Sequence, residues 1–312
     1  MKRGYYFLNN EKGSVSLIFV VSLVGLLSLS ALVIDAGVFY LEDIRLSNAV
    51  DAAALAGSQA LTYDDPYEAR AIAEEYALKN GLNPEDINII ISMDGSTISV
   101  TGVKEAPVFF GRIIMDAETL RLERKATVMV GNVGAMTGIA PLGISDSDFE
   151  FGVKYGLKIA AGDEFDEDLG VGNYGALALG APGANTYEEN LTDGYDGFLT
   201  VGDVIDTQTG NISNPTKRSI DKRIANALST SYEDVPKGCP RVLYVPVFEA
   251  HEADGNQVKS VKVVSFAAFW VEEVVGQGNE NQINGYFIRR LAEGEISGDA
   301  AYRGLKTVKL VE

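Results

Sequence analysis

Residues 14 to 34 read SVSLIFVVSLVGLLSLSALVI, 21 positions without a charge. An uncharged run of that length, coiled as a helix rising about 1.5 Å per residue, matches a hydrocarbon core of about 30 Å and predicts one membrane span. The segment before it carries Lys2, Arg3 and Lys12 against Glu11, whereas Asp35, Glu42 and Asp43 follow it. Basic flanks stay on the cytoplasmic side, so the N-terminus is expected inside and everything after Ile34 outside.

The whole chain has 312 residues and a formal net charge of −18. The acidic balance falls wholly on the exported part, which would be repelled by nucleic-acid phosphates, so no nucleic-acid partner is expected. With 46% apolar and 22% charged residues, the chain is neither an acidic disordered tail nor a polytopic membrane protein. Length alone allows about two domains.

Two processing schemes compete with a retained anchor. A secretory signal would be cut near Ser30-Ala31 or Asp35-Ala36-Gly37, but the apolar run exceeds most signal cores and helical composition continues to Leu61. Lys12-Gly13-Ser14 has the shape of a prepilin cleavage site, which would make Ser14 the first mature residue. Ile18 would then take the fifth position, where such pilins hold a glutamate that pairs with a neighbouring subunit's terminal amine. An unpaired amine in an apolar filament core is costly, and an uncleaved anchor is therefore favoured over a processed major pilin.

Beyond the span, Asp35–Leu61 is rich in helix formers and should continue the same helix. A helix from Ser14 to Leu61 would be about 70 Å long, with about 40 Å beyond the bilayer. Its second half, Ala49–Ala60, is dominated by Ala and Gly, which permits close approach of another element, within this chain or in a second subunit. Asp64-Asp65-Pro66 ends it. A second helix is expected over Tyr67–Asn80 with Gly81 as its cap.

The basic, glycine-containing start, the apolar span, VIDAGVFY and LSNAVDAAALAGSQAL together resemble the N-terminal module of TadE/TadG-like proteins of tight-adherence (Flp) pilus systems. The matching positions are Asp35 with Gly37, and Asn48, Asp51, Ala52, Ala53, Leu55 and Ala56, which become the candidate assembly or interface residues. The resemblance extends over residues 86–130. There Ile87–Met93 and Thr97–Val103 around Asp94-Gly95-Ser96 read as a hairpin, followed by a short helix over Pro107–Met115 and a strand over Leu120–Val130. It implies a membrane-anchored, noncatalytic component of pilus assembly, a minor pilin-like protein, whose partners are the membrane, other pilus subunits and itself through the N-terminal helix.

From Met136 glycine becomes frequent and strands shorten, which predicts a boundary near Gly134–Gly138. Strands are expected over Phe151–Ile159, Tyr174–Leu179, Phe198–Val201, Val242–Phe248, Val258–Val275 with a break, Gly285–Leu291 and Leu305–Val311. Arg218–Leu228 is the one helix expected in this half. Strand count and turn spacing favour a barrel or sandwich. The runs from Asn173 to Asn211 and Pro240 to Phe248 are also similar to the C-terminal part of Tad-domain proteins of Gram-positive lineages. The expected fold is thus α+β: leader and span over residues 1–34, stalk and small α+β domain over 35–135, and a mostly β domain over 136–312.

Little in the sequence points to chemistry. Cys239 and His251 are the only cysteine and the only histidine. They could form a nucleophile and base as in a surface cysteine transpeptidase or hydrolase, with Arg241 on an oxyanion. Against this, Gly238-Cys239-Pro240 reads as a loop and Glu249–Gly255 as a polar hairpin tip. Asp163, Glu164, Asp166, Glu167 and Asp168 could offer oxygens to calcium, but lack the glycine and glutamate spacing of a calcium loop and read as a solvated loop. Gly170–Gly175 and Gly180–Gly183 suggest no phosphate cradle, since no P-loop lysine accompanies them and no helix is expected to follow. No cofactor or metal is expected. The reading is therefore an exported assembly component in the cell membrane, with the bulk of the chain extracellular. The alternative is a polymerising filament subunit with apolar helices in its core and β domains outside.

Overall fold

A computed structural model of the protein describes residues 12–112, 117–147, 149–157, 173–209, 212–254, 257–276 and 281–311. The first helix, α1 (Lys12–Leu61), runs unbroken for 50 residues through span and stalk. It ends in a turn at Thr62–Asp64, where Asp64 adopts a left-handed φ of 60°. Asp65 then caps α2 (Pro66–Lys79): its carboxylate accepts the Glu68 N–H at 2.9 Å, and Pro66 fills the first turn, where no donor is needed. At the other end Gly81 takes φ +87°, and the amides of Gly81 and Leu82 return to the carbonyls of Leu78 and Ala77.

Strands β1 (Ile87–Ile91) and β2 (Thr97–Pro107) form the expected hairpin, with Ile91 opposite Ile98 and Ile87 opposite Gly102. Alternation in β2 turns Ile98, Val100, Gly102 and Ala106 inward. The next strand, β3 (Thr119–Met136), is longer than expected. The helix expected over Pro107–Met115 starts later than expected: Pro107 closes β2, Val108 donates to the Glu118 carbonyl at 2.9 Å, the amides of Phe109–Gly111 bond a carboxylate as the free amides of a helix start do, and Arg112 is helical. Residues 113–116 lie outside the described residues.

The second half contributes β4 (Ile144–Ser145), β5 (Lys154–Leu157), β6 (Asn173–Leu177), α3 (Ala184–Asp193), β7 (Leu199–Thr200), β8 (Val204–Thr209), α4 (Ser213–Ala225), β9 (Val242–Asp254), β10 (Gln257–Val275), β11 (Gln282–Ile288), β12 (Arg290–Leu291), β13 (Glu295–Ile296) and β14 (Leu305–Leu310). Helix α3 was not expected. Its sequence is mostly polar, and only Tyr187, Asn190 and Leu191 are buried, too few to give a visible stripe. It follows Gly183, so a helix does succeed the glycines of 180–183. The expected helix over Arg218–Leu228 begins and ends earlier, as α4. No break interrupts β10, which instead carries register shifts at Val258/Ser260, Ser260/Val261, Val263/Ser265 and Val271/Glu273. Such bulges bend and twist a strand, and the sheet curls into a half-barrel.

Among the described residues there are two sheets. The first has the order β1-β2-β3-β14-β12, with β13 and β7 also on β3; the second runs β4-β9-β10-β11-β5, with β8 on β10 and β6 on β8. Helices α1 and α2 cover one face of the first sheet, around Leu46, Val50, Ala53, Ala73, Ile98 and Val128. Helices α3 and α4 cover one face of the second, where Leu191 and Ile220 meet Val245, Phe269 and Phe287. The opposite face packs Val261, Phe266 and Trp270 with Met136 and Leu305. Strand β3 serves both sheets' cores: from Val133 to Met136 every residue is buried. The chain is α+β, with a long apolar N-terminal helix and a mostly β C-terminal region.

Candidate functional site

The apolar half of α1 lies outside both cores. Val15 is 71% exposed, Phe19 66%, Leu27 61% and Val33 70%, and no described residue covers them. By length and composition this helix can cross a membrane. Burial begins at Asp35, which is 5% exposed.

Asp35 is the hinge point of the arrangement. Its carboxylate accepts the amides of Phe109 at 3.0 Å, Phe110 at 3.0 Å and Gly111 at 2.6 Å, a three-donor nest formed by the loop after β2. Burial pushes the Asp35 carboxyl pKa up, but the bonds from Gly111, Phe109 and Phe110 outweigh it and hold the group below its ordinary value. Two turns further along, Glu42 Oε2 lies 2.7 Å from Lys104 Nζ on β2, and Asp43 Oδ2 lies 2.6 Å from Arg124 Nη2 on β3. Lys104, helped by Arg45 at 2.7 Å, holds Glu42 below the usual carboxylate range against its own burial. The stalk is then sealed by small residues. A Cβ added at Gly57 would come within 2.7 Å of both the Ala69 carbonyl oxygen and Ile98 Cδ1, and one at Gly102 within 2.8 Å of Val50 Cγ1.

The eight residues singled out from the sequence separate accordingly. Ala53 and Ala56 are buried in the core between α1, α2 and the sheet. Asp51 and Ala52 are half-buried, and burial pushes the Asp51 carboxyl up. Asn48 and Leu55 are exposed, and nothing lies within 4 Å of where a Cβ on Gly37 would stand. Only Asp35 among them makes long-range polar contacts that the sequence did not announce. Its partners stand 74 to 76 positions away, and no local pattern links them.

The paired Cys239 and His251 are not brought together. Cys239 is buried in the turn before β9, while His251 lies exposed within β9 near its other end, not at a hairpin tip. His251 lies nine positions along the strand from Val242, roughly 25–30 Å. Arg241 is engaged elsewhere, with its guanidinium 5.0 Å from the Trp270 ring centroid and Nη1 donating to the Val271 and Glu272 carbonyls. The acidic positions 163–168 lie outside the described residues. Among the described residues no group of three His, Cys, Asp or Glu side chains is placed to hold a metal ion.

No curated protein and no solved structure matches the chain. The matched stretch of the family comparison ends at residue 60 and so does not reach residues 86–130 or the second half. It does cover the apolar half of α1, the Asp35 clasp position and the small-residue stalk: residues 13–60 match the Tad family model, described as "Putative Flp pilus-assembly TadE/G-like".

Proposed function

We propose that the protein is a noncatalytic, membrane-anchored exported component of a Flp pilus system, with the N-terminus inside, residues 14–34 in the bilayer and the remainder outside the cell. The observation that carries this is the division of α1 at Asp35 within the segment that matches the Tad model. Before Asp35 the helix is apolar and uncovered; from Asp35 onward it is pinned by Phe109–Gly111, Lys104 and Arg124 and sealed by Ala69, Ala73 and Ile98. The uncovered apolar run of residues 15–34 is the surface this leaves to membrane or filament. The stalk and small sheet of residues 35–135 form a base for the β region of 136–312, and the separation of Cys239 from His251 speaks against the reading that pairs them as nucleophile and base.

A polymerising filament subunit is the second reading, because a bare apolar helix packs against copies of itself as readily as against lipid. Intact-mass and N-terminal analysis of the protein from the native envelope and from sheared surface filaments separates the two. A chain that retains residues 1–13 and stays in the membrane fraction supports the anchor. A chain beginning at Ser14 and abundant in sheared filaments overturns it.

A further inference from the structure

We propose that the loop after β2 is a second membrane contact, with Phe109 and Phe110 seated in the headgroup region of the bilayer on the ectodomain side. The inference rests on the proposal that residues 14–34 span that bilayer. Three observations place the loop there. First, its amides are fastened to Asp35, the residue next to the last apolar position of the span, at 2.6 to 3.0 Å. Side chains on a helix lean toward its N-terminus, so the Asp35 carboxylate and the loop it holds are displaced toward the bilayer, level with Ile34. Second, β2 descends along α1 toward the same end. Ile98 packs by Gly57, Gly102 by Leu46 and Val50, and Lys104 by Glu42. Six strand residues cover about 20 Å and the matching fifteen helix residues about 22 Å, so the two elements run side by side and the loop is the lowest point of the sheet.

Third, the loop presents two adjacent aromatic rings to its surroundings. Phe109 is 51% and Phe110 45% exposed, although both amides are fixed and the sheet above buries Ala106 completely. The neighbouring helix presents Ile34 at 48% and Tyr40 at 67% exposure, so apolar side chains stand open on both sides of the Asp35 contact. Arg112, also exposed, supplies a cation that can reach lipid phosphate. Exposed aromatic rings beside a span, with a basic side chain next to them, fit an interfacial site in which rings enter the acyl boundary by about 5–10 Å. With the stalk pinned at Asp35 and the loop resting on lipid, the ectodomain would stand at a fixed tilt to the membrane instead of swinging on its helix.

The test uses the full chain on a Cys239→Ser background in nanodiscs of phosphatidylethanolamine and phosphatidylglycerol. Nitroxide labels are placed one at a time at Phe109→Cys, Phe110→Cys, Ser22→Cys in the span and Met93→Cys at the far β1–β2 turn. Collision rates with oxygen, which concentrates in lipid, and with a water-soluble nickel chelate are measured. Because Asp35 holds the loop through backbone amides, labelling at 109 and 110 leaves the clasp in place. The expected result is an oxygen-to-nickel ratio at 109 and 110 several-fold above that at 93 and approaching that at 22. Labels at 109 and 110 as nickel-accessible as 93, with 22 deep in lipid, overturn the loop contact and leave the span intact. Labels shielded from both colliders reveal protein, a second copy, over the loop and equally overturn it. A nickel-accessible label at 22 overturns the span itself.

Discussion

Lys306 Nζ on the last strand lies 2.8 Å from Asp64 Oδ1 and donates to the Leu61 carbonyl at 3.2 Å, which latches the C-terminus of the chain onto the end of the stalk helix. The ammonium sits where the unpaired carbonyls of α1 concentrate negative potential. Strand β14, which carries it, pairs with β3 from Lys306 opposite Asn132 to Leu310 opposite Val128. Stalk, small sheet and β region are therefore closed by one strand.

Replacing that cation should loosen the closure modestly. Lys306→Met is expected to lower stability by about 0.5–1 kcal/mol, the usual worth of a cation at a helix end, since Asp64 is largely exposed. Denaturant unfolding followed by the lone tryptophan checks this, and an unchanged midpoint would show that the latch contributes nothing.

Two glycines on α1 should respond in opposite directions. Gly57→Ala forces a Cβ to 2.7 Å from the Ala69 carbonyl oxygen and is expected to cost about 1–3 kcal/mol. Gly37→Ala meets nothing and should gain about 0.5–1 kcal/mol from helix propensity. If Gly37→Ala stabilises the isolated protein yet abolishes pilus assembly, that open position is a contact surface for another subunit.

The Asp35 clasp predicts a dependence on acid. Its carboxyl is lowered in the folded protein, so the clasp's contribution is present above the ordinary carboxylate pKa and is lost as pH falls through the folded value. Protection of the Phe110 and Gly111 amides, taken relative to the intrinsic exchange rate at each pH, should fall in acid while that of Val100 and Val128 holds. In Asp35→Asn the same two amides should exchange faster at neutral pH, and the acid dependence should vanish. Equal protection in both proteins at every pH would mean that the carboxylate does not hold the loop.

Arg223 organises the helical cover of the second sheet. From α4 its Nε donates to the Leu191 carbonyl at 2.6 Å and its Nη1 to Pro240 at 2.9 Å and Val242 at 3.3 Å, and burial pushes its guanidinium down to about 10. Arg223→Met keeps much of the volume but strands buried carbonyls, so a loss of about 2–4 kcal/mol is expected. A variant within 0.5 kcal/mol of the parent, roughly the effect of an ordinary surface change, would assign those carbonyls to water.

Cys239 should be dispensable for function. Cys239→Ala removes a small buried group and is expected to cost about 1–2 kcal/mol while pilus assembly proceeds. Assembly lost in a variant with intact folding would restore a chemical role for the thiol.

Where local periodicity was strong, the elements could be read directly. The unbroken apolar run, the Asp65-Pro66 start and Gly81 end of α2, and the Asp94-Gly95-Ser96 turn each depend on neighbours a few positions away. Where an element is marginal alone, reading failed. Helix α3 buries only three side chains, β8 pairs through Val204–Asp206 with distant β10, and the start of the helix after Pro107 is shifted because its first amides are spent on Asp35. The candidate residues at Ala53 and Ala56 came from the resemblance of LSNAVDAAALAGSQAL to the TadE/TadG-like module, in a run where small side chains recur along α1. That they face α2 and the sheet could not be found this way, since the same stripe suits a subunit interface.

The sequence by itself determined that a 21-residue uncharged run leads without a break into a small-residue stalk and that strands dominate after Met136. These follow from composition, hydrophobic period and helix-ending residues, all of which act over a few residues. Only the tertiary structure decided that the Asp35 carboxylate is clasped by the amides after β2, that β14 returns 242 positions later to the stalk through Lys306, and that Cys239 lies in the turn before β9 with His251 near the far end of that strand. The physical reason is that a carboxylate, an ammonium or a strand edge can be satisfied by many partners along the chain, and which one it meets is fixed by packing of the whole.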